Sequence, residues 1–386
     1  MQYFRRLAIS WAFPLAAIII AAAFLWTGCS SKAEKEPILV GHIAPFSGPQ
    51  KILGEHARQG IILAVEDCNQ EDRRIAGQKV AVLHADSRGN AETLQAEADR
   101  LITVNKIMGL LALTTAEDSE RLARSLEPSG IALVVCNPVV STSNDSPLSV
   151  SLAPAQQGQA LARFAQGEDL KAKKVAILVD SRLSAATAIA AAFGKNWPRD
   201  QSHALEQWTY DRKEQFAELA GRVQKLAPEV VVLASAADDV AVLRAALQGA
   251  GVKAALIFAG SETTLATLLV DRDAREGIYF ATSYVPGEEA GDEGKAFAKK
   301  YEEHFHEAPD VNAVLAYEAA GLVFEALRRS KKNDNDGARK ALAEIDSFPG
   351  VTGPLVIKDH VLRRTAFIAR LEGDQIKVVR RYKPEE

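Results

Sequence analysis

The sequence predicts an α/β fold built as two Rossmann-like lobes with parallel sheets, and three observations predict it. Short apolar runs alternate with amphipathic stretches from Ile38 onward, the pattern of parallel strands covered by helices on both faces. The alternation restarts after residue 150, which gives two arrays of similar size. The chain has 386 residues, 47% hydrophobic and 25% charged, enough for two full cores. Lys plus Arg number 46 against 50 Asp plus Glu, so no basic excess exists to neutralise phosphates and nucleic acid is not an expected partner.

The first 28 residues stand apart from this pattern. Met1 to Arg6 carry two positive charges, residues 7–26 carry none, and Thr27 and Gly28 precede Cys29. A basic start, an apolar stretch and small residues before a cleavage point describe an export signal. The Thr27-Gly28-Cys29 end resembles the lipobox of bacterial lipoproteins, which implies a lipid on Cys29 as the mature N-terminus. Trp26 departs from that pattern, standing where an aliphatic residue is usual. An uncleaved membrane-spanning anchor is the alternative, since about 20 apolar residues can cross a bilayer. Both readings place the rest of the chain outside the cytoplasm. Residues 29–37 read as a short solvated tether.

The elements follow in order. Residues 38–44 form an apolar strand ending at Pro45, and Ala57, Ile61, Ile62, Ala64, Val65 and Cys68 recur at helical spacing. Strands are expected at 79–84, 108–113 and 131–135, with helix faces marked by Leu94, Ala98 and Leu101 and by Leu122 and Leu126. The second array opens with the strand 175–179, continues through helices near 185–193 and 216–226, and adds strands at 230–234, 254–259 and 277–281. Helices begin near Asp238 and Glu262. Two long helices follow, at 296–306 and 311–330, and the chain finishes in strands at 355–358, 364–371 and 375–382. The last two are separated by Glu372-Gly373-Asp374, a turn sequence.

Ile43-Ala-Pro-Phe-Ser-Gly-Pro49, Gly60-Ile-Ile-Leu-Ala-Val-Glu66, Pro154-Ala-Gln-Gln-Gly158, Glu276-Gly-Ile-Tyr279, Ala316-Tyr-Glu-Ala319 and Gly350-Val-Thr-Gly-Pro-Leu-Val356 occur in one fixed order. Together they resemble type I periplasmic binding proteins of the leucine/isoleucine/valine-binding family. The resemblance implies two αβ lobes joined by a three-stranded hinge, with crossings near Ala153, Ser283 and Leu355. One lobe would then hold 38–153 plus 284–354, and the other 154–283 plus 355–386. It also implies capture of a small solute, an amino acid or related compound, by lobes that close on it like a trap, and delivery to the permease subunits of an ABC transporter. A monomer is expected, anchored by Cys29 on the periplasmic face of a bacterial membrane, with no cofactor and no metal.

Ligands of open α/β sheets bind beyond the carboxyl ends of the strands, where helix N-termini point free N–H groups into the crevice. Thr114, Thr115 and Ala116 follow one such strand and resemble the family loop that holds the ligand carboxylate. Capping of the helix by a threonine is the simpler role. The segment Asn137-Pro-Val-Val-Ser141 resembles a second clamp, which implies contacts from Val139 and Ser141. Phe258-Ala-Gly-Ser-Glu262 resembles the acidic loop of the second lobe, and this makes Glu262 the expected partner of the ligand ammonium. A helix-terminal acid favoured by the dipole is the other role for Glu262. Leu53 and Leu183 fall where the family commonly has tyrosines, while Tyr284 keeps an aromatic lining position.

Cys68 and Cys136 are expected as buried free thiols. No catalytic elbow, phosphate-binding loop or dinucleotide fingerprint is present, and His304 and His306 have poor spacing for a metal. An enzyme is therefore not expected, and an exported hydrolase is the weakest alternative. A ligand-sensing periplasmic receptor subunit built on the same fold stands between the two.

Overall fold

The computed structural model describes residues 35–141, 147–332, 334–373 and 375–384. The chain divides into 1–36 and 37–386, and the description below concerns the second unit. The export signal and Cys29 lie outside the described residues. None of the described helices is long and apolar enough to cross a membrane.

The first lobe starts as the sequence suggests. Strands β1 (Ile38–Ala44), β2 (Val80–Asp86), β3 (Leu110–Ala112), β4 (Leu133–Val135) and β5 (Leu148–Ser149) form a parallel sheet in the order β2-β1-β3-β4-β5. Between them run α1 (Lys51–Cys68), α2 (Ala91–Thr103) and α3 (Ala116–Leu126). Local chemistry fixes two of the starts. Asn90 accepts the N–H groups of Glu92 and Thr93 to open α2, and Thr115 accepts that of Asp118 to open α3.

The second lobe holds α4 (Pro154–Gln166), β6 (Lys174–Asp180), α5 (Ser184–Lys195), β7 (Ala204–Tyr210), α6 (Phe216–Leu226), β8 (Val230–Ala234), α7 (Val240–Gly249), β9 (Ala255–Phe258), α8 (Leu265–Val270), α9 (Arg272–Arg275) and β10 (Tyr279–Thr282). The chain then returns to the first lobe with α10 (Gly291–Phe305), α11 (Val311–Arg329) and α12 (Asn335–Ala343). Helix α11 is buried along most of its length, and α1 lies so close to it that a Cβ on Gly60 would stand 2.0 Å from the Ala313 carbonyl oxygen. A glycine is required there by the close approach.

A small antiparallel sheet follows: β11 (Ser347–Gly350), β12 (Gly353–Lys358) and β13 (Val361–Arg363). Its Leu355, Ile357 and Leu362 pack into the first-lobe core. The third crossing therefore lies at Arg364–Thr365, not near Leu355. Apolar strand residues alone could not tell which of two adjacent cores would take them. The final hairpin, β14 (Ala366–Glu372) and β15 (Gln375–Tyr382), completes a seven-stranded sheet in the order β15-β14-β10-β9-β8-β6-β7. Strand β7 was not expected from sequence, because an edge strand with exposed Glu206, Gln207 and Thr209 lacks the apolar signature of its buried neighbours.

Two histidines meet on neighbouring strands of the first lobe. His42 on β1 is 0% exposed, and its Nδ1 lies 2.9 Å from Nδ1 of His84 on β2. A single proton can bridge them, so at least one ring is neutral. Burial holds His42 well below the ordinary imidazole value, and the neighbouring His84 and Arg58 add to this. Burial and Arg58 bring His84 down to about 4, against the opposing pull of Glu55. Phe46 meets both imidazoles in T-shaped contacts. Unfolding frees both rings to bind protons between their folded and unfolded pKa values, so stability falls as pH drops from about 6.5 toward 5. His84 is the more exposed ring and contributes the smaller part. Thermal unfolding across that range should show a shallower pH slope in His42→Asn/His84→Asn than in wild type. Equal slopes would remove the pair from the acid response.

Candidate functional site

The carboxyl ends of β1, β3, β4, β6, β8 and β9 converge on a cleft between the two lobes with a volume of about 270 Å³. Five chain segments enter helical turns at its walls, after Gln50, Thr115, Leu183, Ala236 and Ser261. Of these, only Thr115 makes a side-chain cap to its own helix. At the start of α3 the Ala116 N–H has no intrahelical acceptor, the Glu117 N–H is met by its own carboxylate, and the helix dipole favours negative charge there.

Thr114, Thr115 and Ala116 line the first-lobe wall. Asn137, itself buried, holds this loop in place: its Oδ1 accepts the Thr114 N–H at 3.3 Å, and its Nδ2 donates to the Thr115 carbonyl at 3.1 Å. Leu53 contributes from α1 and Leu183 from the entry to α5. Apolar lining also comes from Pro45, Pro138 and Ala186. Among the described residues the lining contains no aromatic ring and no Lys, Arg or His. Its charged groups are Glu117, Asp118 and Asp238.

Each carboxylate has a different situation. Glu117 reaches across the cleft from the first lobe, and its Oε1 accepts the Ser184 N–H at 2.8 Å and the Ser184 hydroxyl at 2.7 Å. Burial pushes its carboxyl up, but the Ser184 donors outweigh this and hold it below the usual range. This contact links the two lobes across the cleft. Asp118 is paired with Arg121 at 2.5 Å. In the second lobe Asp239 is held by Lys213 at 2.8 Å and Arg182 at 3.3 Å, and Arg182 also pairs with Asp180 at 2.6 Å. Its neighbour Asp238 is exposed and has no partner among the described residues. It is the free carboxylate of the cleft.

Four expected contacts are placed elsewhere. Glu262 does not face the cleft: it is 1% exposed, and its Oε1 accepts the Ser151 hydroxyl and the Leu152 N–H, both at 2.7 Å. Its Oε2 accepts the Ser283 N–H at 2.6 Å and the Thr282 hydroxyl at 3.4 Å. These donors belong to the first and second crossings, so Glu262 ties two hinge strands together. Tyr284 is buried in the first-lobe core, its hydroxyl donating to Glu289, and lies outside the cleft lining. Val139 packs in the apolar core where α2 and α3 cover one face of the first-lobe sheet. Ser141 is exposed, with its N–H donating to Glu120 Oε1 at 3.1 Å. Of that segment Asn137 and Pro138 are the ones that reach the cleft. The short strand β4 ends at Val135, earlier than a clamp centred on Val139 needs. Asp238 was missed because an acid opening a helix has an ordinary explanation in the dipole. Its one sequence signal is the abrupt polar break Ser235-Ala-Ala-Asp238 after the wholly apolar β8.

Cys68 and Cys136 are buried free thiols. Burial pushes Cys136 up to about 12, so it stays a protonated, inert core group.

A two-lobed α/β body with a solute-sized crevice at the strand ends is the architecture of a family whose model, described as periplasmic binding protein, matches residues 37–375. The chain belongs to the periplasmic binding protein family. Among its relatives, Leu/Ile/Val-binding protein homolog 7 of Brucella suis is 26% identical over 370 residues, 87% of each chain. This periplasmic binding protein also shares its fold with two solved structures. One is the branched-chain amino acid transporter substrate binding protein LivJ of Streptococcus pneumoniae in complex with isoleucine. Its TM-score is 0.74 at 21% identity, covering 90% of this chain and 100% of that one. The other is a solute binding protein of an R. palustris ABC transporter in complex with benzoate. Its TM-score is 0.71 at 19% identity, covering 90% and 97%.

Proposed function

We propose that this periplasmic binding protein captures an aliphatic amino acid in the cleft and delivers it to an ABC permease. The observation that carries this reading is the pairing of opposite walls. Helix-terminal N–H groups at Thr115 and Ala116 suit a carboxylate, and the unpaired Asp238 faces the same space from the other lobe and suits an ammonium. The apolar remainder, with Leu53 and Leu183, suits an aliphatic side chain. The lining carboxylates oppose a ligand whose only charge is negative, which favours the zwitterion over an aromatic acid such as the benzoate bound by the R. palustris protein. Val139, Ser141 and Tyr284 have no direct part in this reading, and Glu262 acts through the hinge.

A thermal-shift screen against amino acids, with benzoate alongside, tests it. A ligand at about 100 Kd should add about 2.7 kcal/mol of stability. Asp238→Asn should weaken the best amino acid by about one to three decades in Kd, read by calorimetric titration, because the ammonium loses its charged partner. Stabilisation by benzoate and by no amino acid would overturn the amino-acid reading and leave solute capture standing.

The chain is further proposed to be exported and held at the membrane by lipid on Cys29. The mass of the membrane-extracted protein should then correspond to residues 29–386 plus a diacylglyceryl group. An unmodified mass that includes residues 1–28 would point to the uncleaved anchor instead.

A further inference from the structure

Helix α5 of the second lobe begins without a cap of its own. The residue before it, Leu183, is extended at φ −108° and ψ 108° and makes no side-chain cap. Ser184 opens the helix, and both of its donors go to the first lobe: its N–H and its hydroxyl donate to Glu117 Oε1 at 2.8 and 2.7 Å. A carboxylate on a helix N-terminus satisfies an orphan donor and is favoured by the dipole. The first lobe therefore supplies the cap of a second-lobe helix. Glu117 is also held from its own side, since the Thr115 hydroxyl and the Glu117 N–H donate to the same carboxylate. The neighbouring Asp118 is committed to Arg121.

Other hydrogen bonds between the lobes stay beside the crossings. Asn312 Nδ2 donates to the Thr263 carbonyl at 3.2 Å, next to the hinge-binding Glu262, and Arg381 pairs with Glu288 soon after the second crossing. Rotation of the lobes about the crossings moves such contacts little. Glu117 instead lines the cleft, and Ser184 stands between the lining residues Leu183 and Ala185. A rotation that widens the cleft there must break their contact.

We propose that Glu117 is a positioning residue for solute capture, whose cap on Ser184 holds the cleft walls together before any solute is bound. The apparent affinity of a protein scales with the fraction of molecules already in the binding arrangement, and this contact raises that fraction. The loop Thr114-Thr115-Ala116 leads into the helix that carries Glu117, and Leu183 adjoins Ser184, so one contact sets both walls. The assignment holds for whatever solute the cleft takes.

The distance between spin labels at Ile52→Cys on α1 and Val242→Cys on α7, exposed positions on opposite lobes, tests it in the full chain in detergent. Bound solute is first removed by dialysis against mild denaturant, and the chain without the two label sites supplies the background from its native thiols. With Glu117 and Ser184 intact, one short-distance population should dominate. Glu117→Ala should raise the population at longer distances about fivefold, the usual worth of a helix cap. Glu117→Gln keeps a neutral acceptor and should fall between the two. Ser184→Pro severs the contact from the other lobe, because proline is favoured at the first helical position and the extended Leu183 suits a following proline. It should reproduce Glu117→Ala, and combining the two should add nothing, as expected when both remove the same contact. Unchanged distances in Glu117→Ala, a shift confined to Ser184→Pro, or an intact chain already as widely spread as the variants would overturn the proposal.

Discussion

Arg364→Met is expected to lower the free energy of unfolding by about 3–5 kcal/mol, the usual result of removing one member of a buried ion pair. Arg364 is 0% exposed at the third crossing, and its Nη1 and Nη2 donate to the Glu318 carboxylate at 2.6 and 3.1 Å. Nη1 also donates to the Val150 carbonyl at 2.8 Å. Glu318 is 1% exposed on α11 and accepts the Val351 N–H at 2.8 Å. One guanidinium therefore joins the first crossing, the third crossing and the central helix of the first lobe. With methionine in its place, the Glu318 charge stays in the core with a single donor. The double variant Glu318→Leu/Arg364→Met removes both charges and should recover much of the loss, because two paired charges are close to neutral against apolar groups of similar size. Denaturant unfolding of the three variants checks this. A double variant as unstable as the sum of the singles would mean that the surrounding packing, not the uncompensated charge, sets the effect.

Glu262→Ala should have a comparable effect, again about 3–5 kcal/mol, and for a reason opposite to its sequence reading. As the ligand's partner, Glu262 would cost affinity and little stability when removed. In the structure, its loss strands the Leu152 and Ser283 N–H groups and the Ser151 hydroxyl inside the hinge. Stability should fall first, and affinity should fall because the lobes no longer hold their mutual geometry. Glu262→Gln keeps an acceptor for part of this set and should lie between the two. Calorimetric unfolding beside ligand titration separates the readings. An alanine variant with wild-type stability and lost affinity would return Glu262 to the ligand.

The βα alternation, the two arrays and the amphipathic helix faces were legible in the sequence because each depends on local periodicity. A strand buried on both faces must be apolar throughout, as in Val230–Ala234, and a helix on a core must repeat its apolar face, as in α6. The loop Thr114-Thr115-Ala116 was legible for the same reason, since a helix start at a strand's carboxyl end faces the crevice in this class of fold. Tertiary structure decided what each polar group faces. Glu262 and Asp238 both open helical turns after apolar strands of the same sheet, and nothing local separates them. One is enclosed by donors from the first and second crossings, more than 100 residues before it and about 20 after it, and the other is left open to the cleft. Likewise Leu355 reads as an apolar strand residue in either lobe, and only the contacts of the small antiparallel sheet assign it to the first. Periodicity fixes which side of an element is buried, because that depends on neighbours three or four residues away. The partner of a buried charge is chosen by chain segments brought together from far apart, and it becomes known only once they have met.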